Sequence, residues 1–342
     1  MSAILTKILE PLSRYYGDPD IIELRMKQPG TVVLDRRGSG LEEVSDPSLT
    51  LHVIERICQS LANKAGLTFD PDQYPQLSTV LPEGHRFECM MGASVQTGVS
   101  LAIRCKHVFE VSWEAFGIDE TLLGYITEAA ALEKNIIISG ATNTGKTTFV
   151  NKFLKLLPAN RRVITVEDTP ELFVDHFWNG VSLLAAREGG TGSSLMSWRQ
   201  IYDHLMRSTP DNIIFGEIST QNAFAALGAL NSGVTGFLCT IHAESPEQVV
   251  NRKFDQNTAW SGQPLPRIPE FLEDLVDSII QIKRDYTGKR QITDIWEPRN
   301  NRYILKDGQS QTVPQSSTVF NPQATSSAVS HEENPTQLEV SL

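Results

Sequence analysis

"NIIISGATNTGKTTFV", residues 135–150, decides the fold. A short apolar run ends in a glycine, and Gly-Lys-Thr follows it. Residues 140–147 fit G-x-x-x-x-G-K-[ST] in full, with a strand pattern before and a helix pattern after. In such a loop, backbone N–H groups and the helix N-terminus point at phosphate oxygens. The candidate nucleotide-binding residues are therefore Gly140, Ala141, Thr142, Asn143, Thr144, Gly145, Lys146, Thr147 and Thr148. Gly145 lets the backbone come close. Lys146 sets a charge against the β and γ phosphates, and the Thr147 hydroxyl is a magnesium ligand. The stretch predicts binding of a nucleoside triphosphate with Mg²⁺.

Working outward, the same alternation recurs. "DETLLGYITEAAALEK" (119–134) has helical period, and "RRVITVED" (161–168) and "DNIIFGE" (211–217) are apolar strands ending in acid. "TQNAFAALGALNSG" (220–233) reads as a helix and "GFLCTIH" (236–242) as another strand. Residues 270–298 close the pattern as helix, strand, hairpin and strand. Alternation of this kind predicts βα units on a mostly parallel sheet, an α/β fold over residues 119–307. Phe149, Phe153, Leu154 and Leu157 form the core face of the helix after the loop.

The amino-terminal part differs. Ile4, Leu5, Ile8, Leu9 and Leu12 fall at helical spacing, and "DIIELRMKQPGTVVLD" (20–35) reads as strand, turn, strand. "LTLHVIERICQSLANKAG" (49–66) is an amphipathic helix stopped by Gly66, with short strands expected in 75–92 and 98–106. Residues 1–106 thus predict a smaller α+β domain, 107–118 a linker, and the Ser-, Gln- and Pro-rich stretch 308–342 a disordered tail.

The chain of 342 residues is long enough for two ordinary domains. A formal net charge of −11 argues against bulk binding to nucleic acid. No signal peptide and no apolar run of membrane-spanning length are read, and Cys58, Cys89, Cys105 and Cys239 show no CxxC pair. Reduced, mostly buried thiols in a cytoplasmic protein are expected. Trp178, Trp198 and Trp260 stand in polar surroundings and are candidate interface markers.

A nucleoside triphosphatase also needs a carboxylate near the metal and a group that orients the attacking water. Two predicted strands end in acid. The first offers Glu167, Asp168 and Glu171, and the second Glu217 directly after a glycine. Asp168, before Thr-Pro, suits a plain capping role. Glu167 is the candidate metal ligand beside Thr147, Glu171 a candidate catalytic residue, and Glu217 the carboxylate expected to face the nucleotide.

These segments, in this order, resemble the secretion ATPase superfamily of type II secretion, type IV pili and type IV secretion. The loop at 140–148, an acidic box at 164–172, "MRSTPDNIIFGE" (206–217) and "NSGVTGFLCTIHA" (231–243) are similar to its four motifs. "VEDTPEL" (166–172), "LPEGHRFECMM" (81–91) and "VSLAIR" (99–104) are most similar to the traffic ATPases of bacterial type IV secretion. The resemblance implies a RecA-like P-loop ATPase domain using ATP and Mg²⁺. It implies a cytoplasmic homohexamer, peripheral to the inner membrane. Its partners would be inner-membrane components of a secretion channel and a secreted protein or nucleoprotein, without direct sequence-specific nucleic-acid binding. It places His242 near the γ-phosphate and brings Arg86 and Arg104 from the N-terminal domain to the nucleotide, with Arg187 and Arg207 as weaker candidates.

Two positions depart from the family pattern. Val234 stands where a first histidine is usual, and Ser219 where an arginine follows Gly-Glu. The expectation is hydrolysis at a reduced rate. The alternatives are a pilus retraction or type II secretion motor, whose four-cysteine metal element in the type II case is absent here, a RecA-like DNA helicase, and a nucleotide-dependent docking platform with negligible hydrolysis.

Overall fold

A computed structural model describes residues 3–37, 39–106, 111–185 and 196–311. The linker segment 107–110, Arg187 with its loop, and the expected tail from 312 on lie outside the described residues.

The phosphate loop's neighbours build one sheet of nine strands. The elements run α3 (Glu120–Ala131), β7 (Ile136–Ser139), α4 (Lys146–Leu154), β8 (Val163–Glu167), β9 (Val181–Leu184), α5 (Trp198–Leu205), β10 (Asn212–Ile218), α6 (Ala223–Leu230) and β11 (Leu238–Ile241). A short helix α7 (Pro246–Gln248), a π-turn segment (Val249–Lys253), α8 (Phe254–Trp260) and α9 (Ile268–Leu275) follow, then β12 (Ser278–Arg284), β13 (Arg290–Glu297), β14 (Arg302–Lys306) and β15 (Gln309–Ser310). The strand order is β15-β14-β13-β12-β7-β11-β10-β8-β9. From β12 to β9 every pairing is parallel, and β13 to β15 add an antiparallel edge. Every residue of β7, β8 and β11 is buried, as strands covered on both faces require. One apolar core, from Ile137 to Trp296, packs α5, α6 and α8 on one face; the other packs α3 and α4 with Phe149 and Phe153.

The topology fixes where a ligand can sit. From β7 the chain crosses to β8 on one side, and later returns to β12 on the other. Connections therefore diverge at the carboxyl end of β7, where open α/β sheets bind ligands.

The amino-terminal part is a second sheet with its own core. α1 (Ala3–Tyr16) and α2 (Leu51–Ala65) accompany β1 (Ile21–Gln28), β2 (Thr31–Arg36), β3 (Gly40–Ser45), β4 (Gln76–Val80), β5 (Arg86–Met91) and β6 (Val99–Arg104). The order is β3-β2-β1-β6-β5-β4, and all its pairs are antiparallel. Leu9, Leu12, Leu24, Ile54, Phe87 and Ile103 are among its buried residues.

Some elements escaped the sequence reading. β3 alternates poorly and is mostly exposed, β9 is a half-buried edge, and α5 follows a Gly-rich stretch. The helical stretch 246–260 escaped that reading too, although Pro246, Val249, Val250, Phe254 and Thr258 are buried at helical spacing. Gln309 and Ser310, expected in the tail, instead pair with Lys306 and Leu305. Trp198 marks no interface: it is buried and stacks on Phe215 at 6.3 Å, whereas Trp178 and Trp260 are exposed. Cys58, Cys89 and Cys239 are buried free thiols, and Cys105 is half-buried. Among the described residues no helix is long and apolar enough to cross a membrane.

Candidate functional site

The loop after β7 takes its shape from close approaches. A side chain at Gly140 would place its Cβ 2.4 Å from the Ile282 carbonyl oxygen of β12 and 2.8 Å from Thr144 Oγ1. Asn143 adopts φ 61°, which asparagine tolerates, and Gly145 caps α4 with φ 95°. Lys146, the first residue of α4, is buried and folds back, its Nζ 3.2 Å from the Gly140 oxygen and 3.1 Å from the Ala141 oxygen.

The parallel register then places the other groups. Ser139 lies beside Ile241, so His242 follows next to the loop; Ile241 lies beside Ile218, so Glu217 stands one residue before the end of the neighbouring strand. His242 Nδ1 is 3.1 Å from Lys146 Nζ, and its Nε2 is 2.5 Å from Glu217 Oε1. His242 Nδ1 also lies 3.3 Å from the Gly140 oxygen, so the ring is held between the loop and Glu217. Burial pushes the Glu217 carboxyl up. The His242 hydrogen bond and the Lys146 and Arg104 charges overcome it and hold the group below its ordinary value. The backbone around Glu217 is pinned as well: Asn222 Nδ2 donates to the Glu217 carbonyl at 2.8 Å, and Thr240 Oγ1 to the Gly216 carbonyl at 2.6 Å. Ser219, at the departed arginine position, donates its N–H to Asn222 Oδ1 at 2.8 Å.

All six predicted catalytic residues, Lys146, Glu217, Glu171, His242, Arg104 and Arg86, line one cleft of about 860 Å³, together with loop residues 142–148. Arg86 and Arg104 face each other across β5 and β6 and reach the cleft from the N-terminal sheet. The wall also holds cations that sequence reading missed: Arg37, Lys106, Lys289 and Arg290. Seven Lys and Arg side chains thus meet two carboxylates, Glu171 and Glu217, in a chain of net charge −11. Lys106 ties the two sheets, donating to the Pro170 carbonyl at 2.6 Å with Nζ 4.6 Å from the Phe173 ring centre. None of these four lies within the segments that carried the resemblance.

Three expectations land elsewhere. Glu167 is buried beneath the turn, where its Oε1 accepts from the N–H of Glu171 at 2.9 Å and of Leu172 at 3.1 Å. It does not line the cleft, so its carboxylate serves the turn that presents Glu171. Val234 sits before β11, beside Glu133 and the start of β7, at the opposite end of the strands from the loop. A histidine there is remote from this chain's own phosphate loop. Arg207 is exposed in the turn after α5 and away from the cleft.

Residues 82–258 match the family described as Type II/IV secretion system protein. The chain belongs to that family. Along most of its length it is also similar to the Type IV secretion system protein VirB11 of Bartonella quintana (strain Toulouse), 27% identical over 89% of this chain and 96% of the relative. It is 29% identical to the Conjugal transfer protein TrbB of Rhizobium radiobacter over 84% of this chain and 87% of that protein. Its fold is similar to the X-ray structure of the Legionella pneumophila ATPase DotB, with a TM-score of 0.55 and 15% identity over 86% of this chain and 80% of that one. Family membership together with the intact loop and Glu217 makes the chain a type IV secretion ATPase.

Proposed function

We propose that this secretion ATPase hydrolyses ATP in the cleft between its two sheets, as a homohexamer whose turnover moves residues 1–106 against a RecA-like body, residues 119–307. The observation that carries the reading is the chain of contacts from Lys146 through His242 to Glu217, set in a wall of excess positive charge. Glu217 polarises the attacking water, and His242 holds its carboxylate in place. Lys146 and Arg104 neutralise charge on the transferring phosphoryl group, with Arg86 beside them. Thr147 and the cleft carboxylates suit Mg²⁺, which takes few protein ligands and completes its shell with phosphate oxygens and water. The metal would draw charge from the phosphates.

ATP gripped by groups from both sheets binds the closed arrangement more tightly than the open one, so its loss on hydrolysis releases the closure. Work of that kind fits the assembly of a secretion channel or pilus and passage of a protein or nucleoprotein through it. It would be done from the cytoplasm against inner-membrane partners.

Steady-state phosphate release by the purified chain tests the reading. We expect Glu217→Gln to bind ATP as the wild type does and to lose turnover by about 10²-fold or more, and Lys146→Ala to show none. Hydrolysis by Glu217→Gln at the wild-type rate would remove Glu217 from the chemistry. Binding without turnover in the wild type would favour the docking platform instead.

A further inference from the structure

The antiparallel hairpin of β12 and β13 carries a cation onto the phosphate loop. Arg290 opens β13, is half-buried, and lines the cleft. Its aliphatic stem lies on Gly145: a Cβ added there would come 3.0 Å from Arg290 Cδ and 3.5 Å from Nε. Its Nη2 lies 3.4 Å from Asn143 Oδ1, at the turn of the loop. Gly145 and Asn143 thus hold the guanidinium over the backbone that the loop offers to phosphate.

Within the described residues Arg290 has no ion pair, and its register partner across the hairpin is Arg284, a like charge directly opposite. Burial, then Arg284, Arg37 and Arg104, hold its guanidinium below the ordinary value, against the pull of Asp35. On the facing wall Arg86 stands directly opposite Arg104 in the same unfavourable way. Arg290, Arg86 and Arg104 all line the cleft, and like charges so placed are a cost to the free protein unless an anion shares them.

Resting on the ATPase reading, we propose that Arg290 binds the phosphate chain of the nucleotide and, with Arg104 and Arg86 opposite, clamps it from two sides of the loop. The ligand class is a polyphosphate, and the contact is to phosphate rather than to the base. Arg290 would also make the C-terminal hairpin sense occupancy of the cleft, because the same strand pairs with β12 beside the loop strand β7.

The test uses the full chain and Arg290→Gln, which keeps much of the stem over Gly145 and removes the charge, with Arg290→Lys as the rescue. Binding of the β,γ-imido analogue of ATP with Mg²⁺, and of inorganic tripolyphosphate, is measured by calorimetry. We expect both affinities to fall about tenfold in Arg290→Gln, the loss of one charge-assisted contact, and to return in large part in Arg290→Lys. The thermal midpoint without ligand should be unchanged or higher, since a repulsion is relieved. Affinities within twofold of the wild type would overturn the proposal. So would a loss confined to the nucleotide analogue, or a lower unliganded midpoint that Arg290→Lys does not restore. A wild type that binds neither ligand sinks the ATPase reading as well. A wild type that binds, with Lys146→Ala losing binding and Arg290→Gln keeping it, sinks only the clamp.

Discussion

Glu167 commits its carboxylate to the backbone. Burial pushes the group up to about 7, although the N–H groups of Glu171 and Leu172 pull it down. It also explains a glycine: a Cβ at Gly216 would lie 2.8 Å from Glu167 Cγ, so the residue before Glu217 leaves room for Glu167 beneath it. A carboxyl whose native value lies above its ordinary 4.5 holds its proton more tightly when folded. The stability this contributes is whole below the ordinary value and is lost as pH climbs through about 7. Glutamine keeps the acceptor and cannot ionise. Glu167→Gln should therefore match the wild type in melting temperature near pH 4.5 and exceed it at pH 8, by roughly 2–4 °C for each kcal/mol relieved. Equal melting curves at both pH values would return Glu167 to an ordinary ionised acid.

At the scale of elements, β5 and β6 matter through what they present. Both are antiparallel strands with alternating burial, and their inner residues Phe87, Cys89, Leu101 and Ile103 fasten them to the N-terminal core. Arg86 and Arg104 stand at their paired ends, beyond that core and in the cleft. Replacing both with alanine removes little apolar burial and two cations near the phosphates. We expect Arg86→Ala/Arg104→Ala to fold with an unchanged or raised melting temperature and to lose about 10²-fold in kcat/KM. Unchanged kinetics would make both mere surface charges. The same reasoning separates α5 from its tryptophan: Trp198 supports Phe215, the strand residue just before Gly216 and Glu217, so it acts on the site only through packing.

For the whole molecule, residues 1–311 form one compact unit, so the two sheets and the cleft between them belong together. Its stability rests on three apolar cores, and among the described residues none after Leu305 belongs to them. Truncation after Gln311 is therefore expected to leave the melting temperature within about 2 °C and the specific ATPase rate within about twofold. It should also leave a ring-sized species in light scattering with ATP and Mg²⁺. Loss of that species on truncation would make the tail part of the assembly. A monomer at every nucleotide and protein concentration in the full chain would count against the hexamer.

Much of this was readable from residue order alone. The eight positions from Gly140 to Thr147, the buried strand patterns around Ile136, Val163 and Leu238, and the acid at the end of "NIIFGE" carry local rules: spacing, periodicity and strand-end chemistry. They determined the α/β fold, the phosphate loop and Glu217. Tertiary structure alone decided between Glu167 and Glu171 and added Arg37, Lys106, Lys289 and Arg290 to the cations of the cleft. Glu167 and Glu171 stand four residues apart in one acidic box, yet only the folded turn shows that the first anchors it and the second faces the cleft. Arg290 lies 147 residues from Asn143 and meets it only because β12 returns beside β7. Local patterns report a residue's own backbone and face. The field at a phosphate site sums charges brought from strands that the chain's order keeps apart.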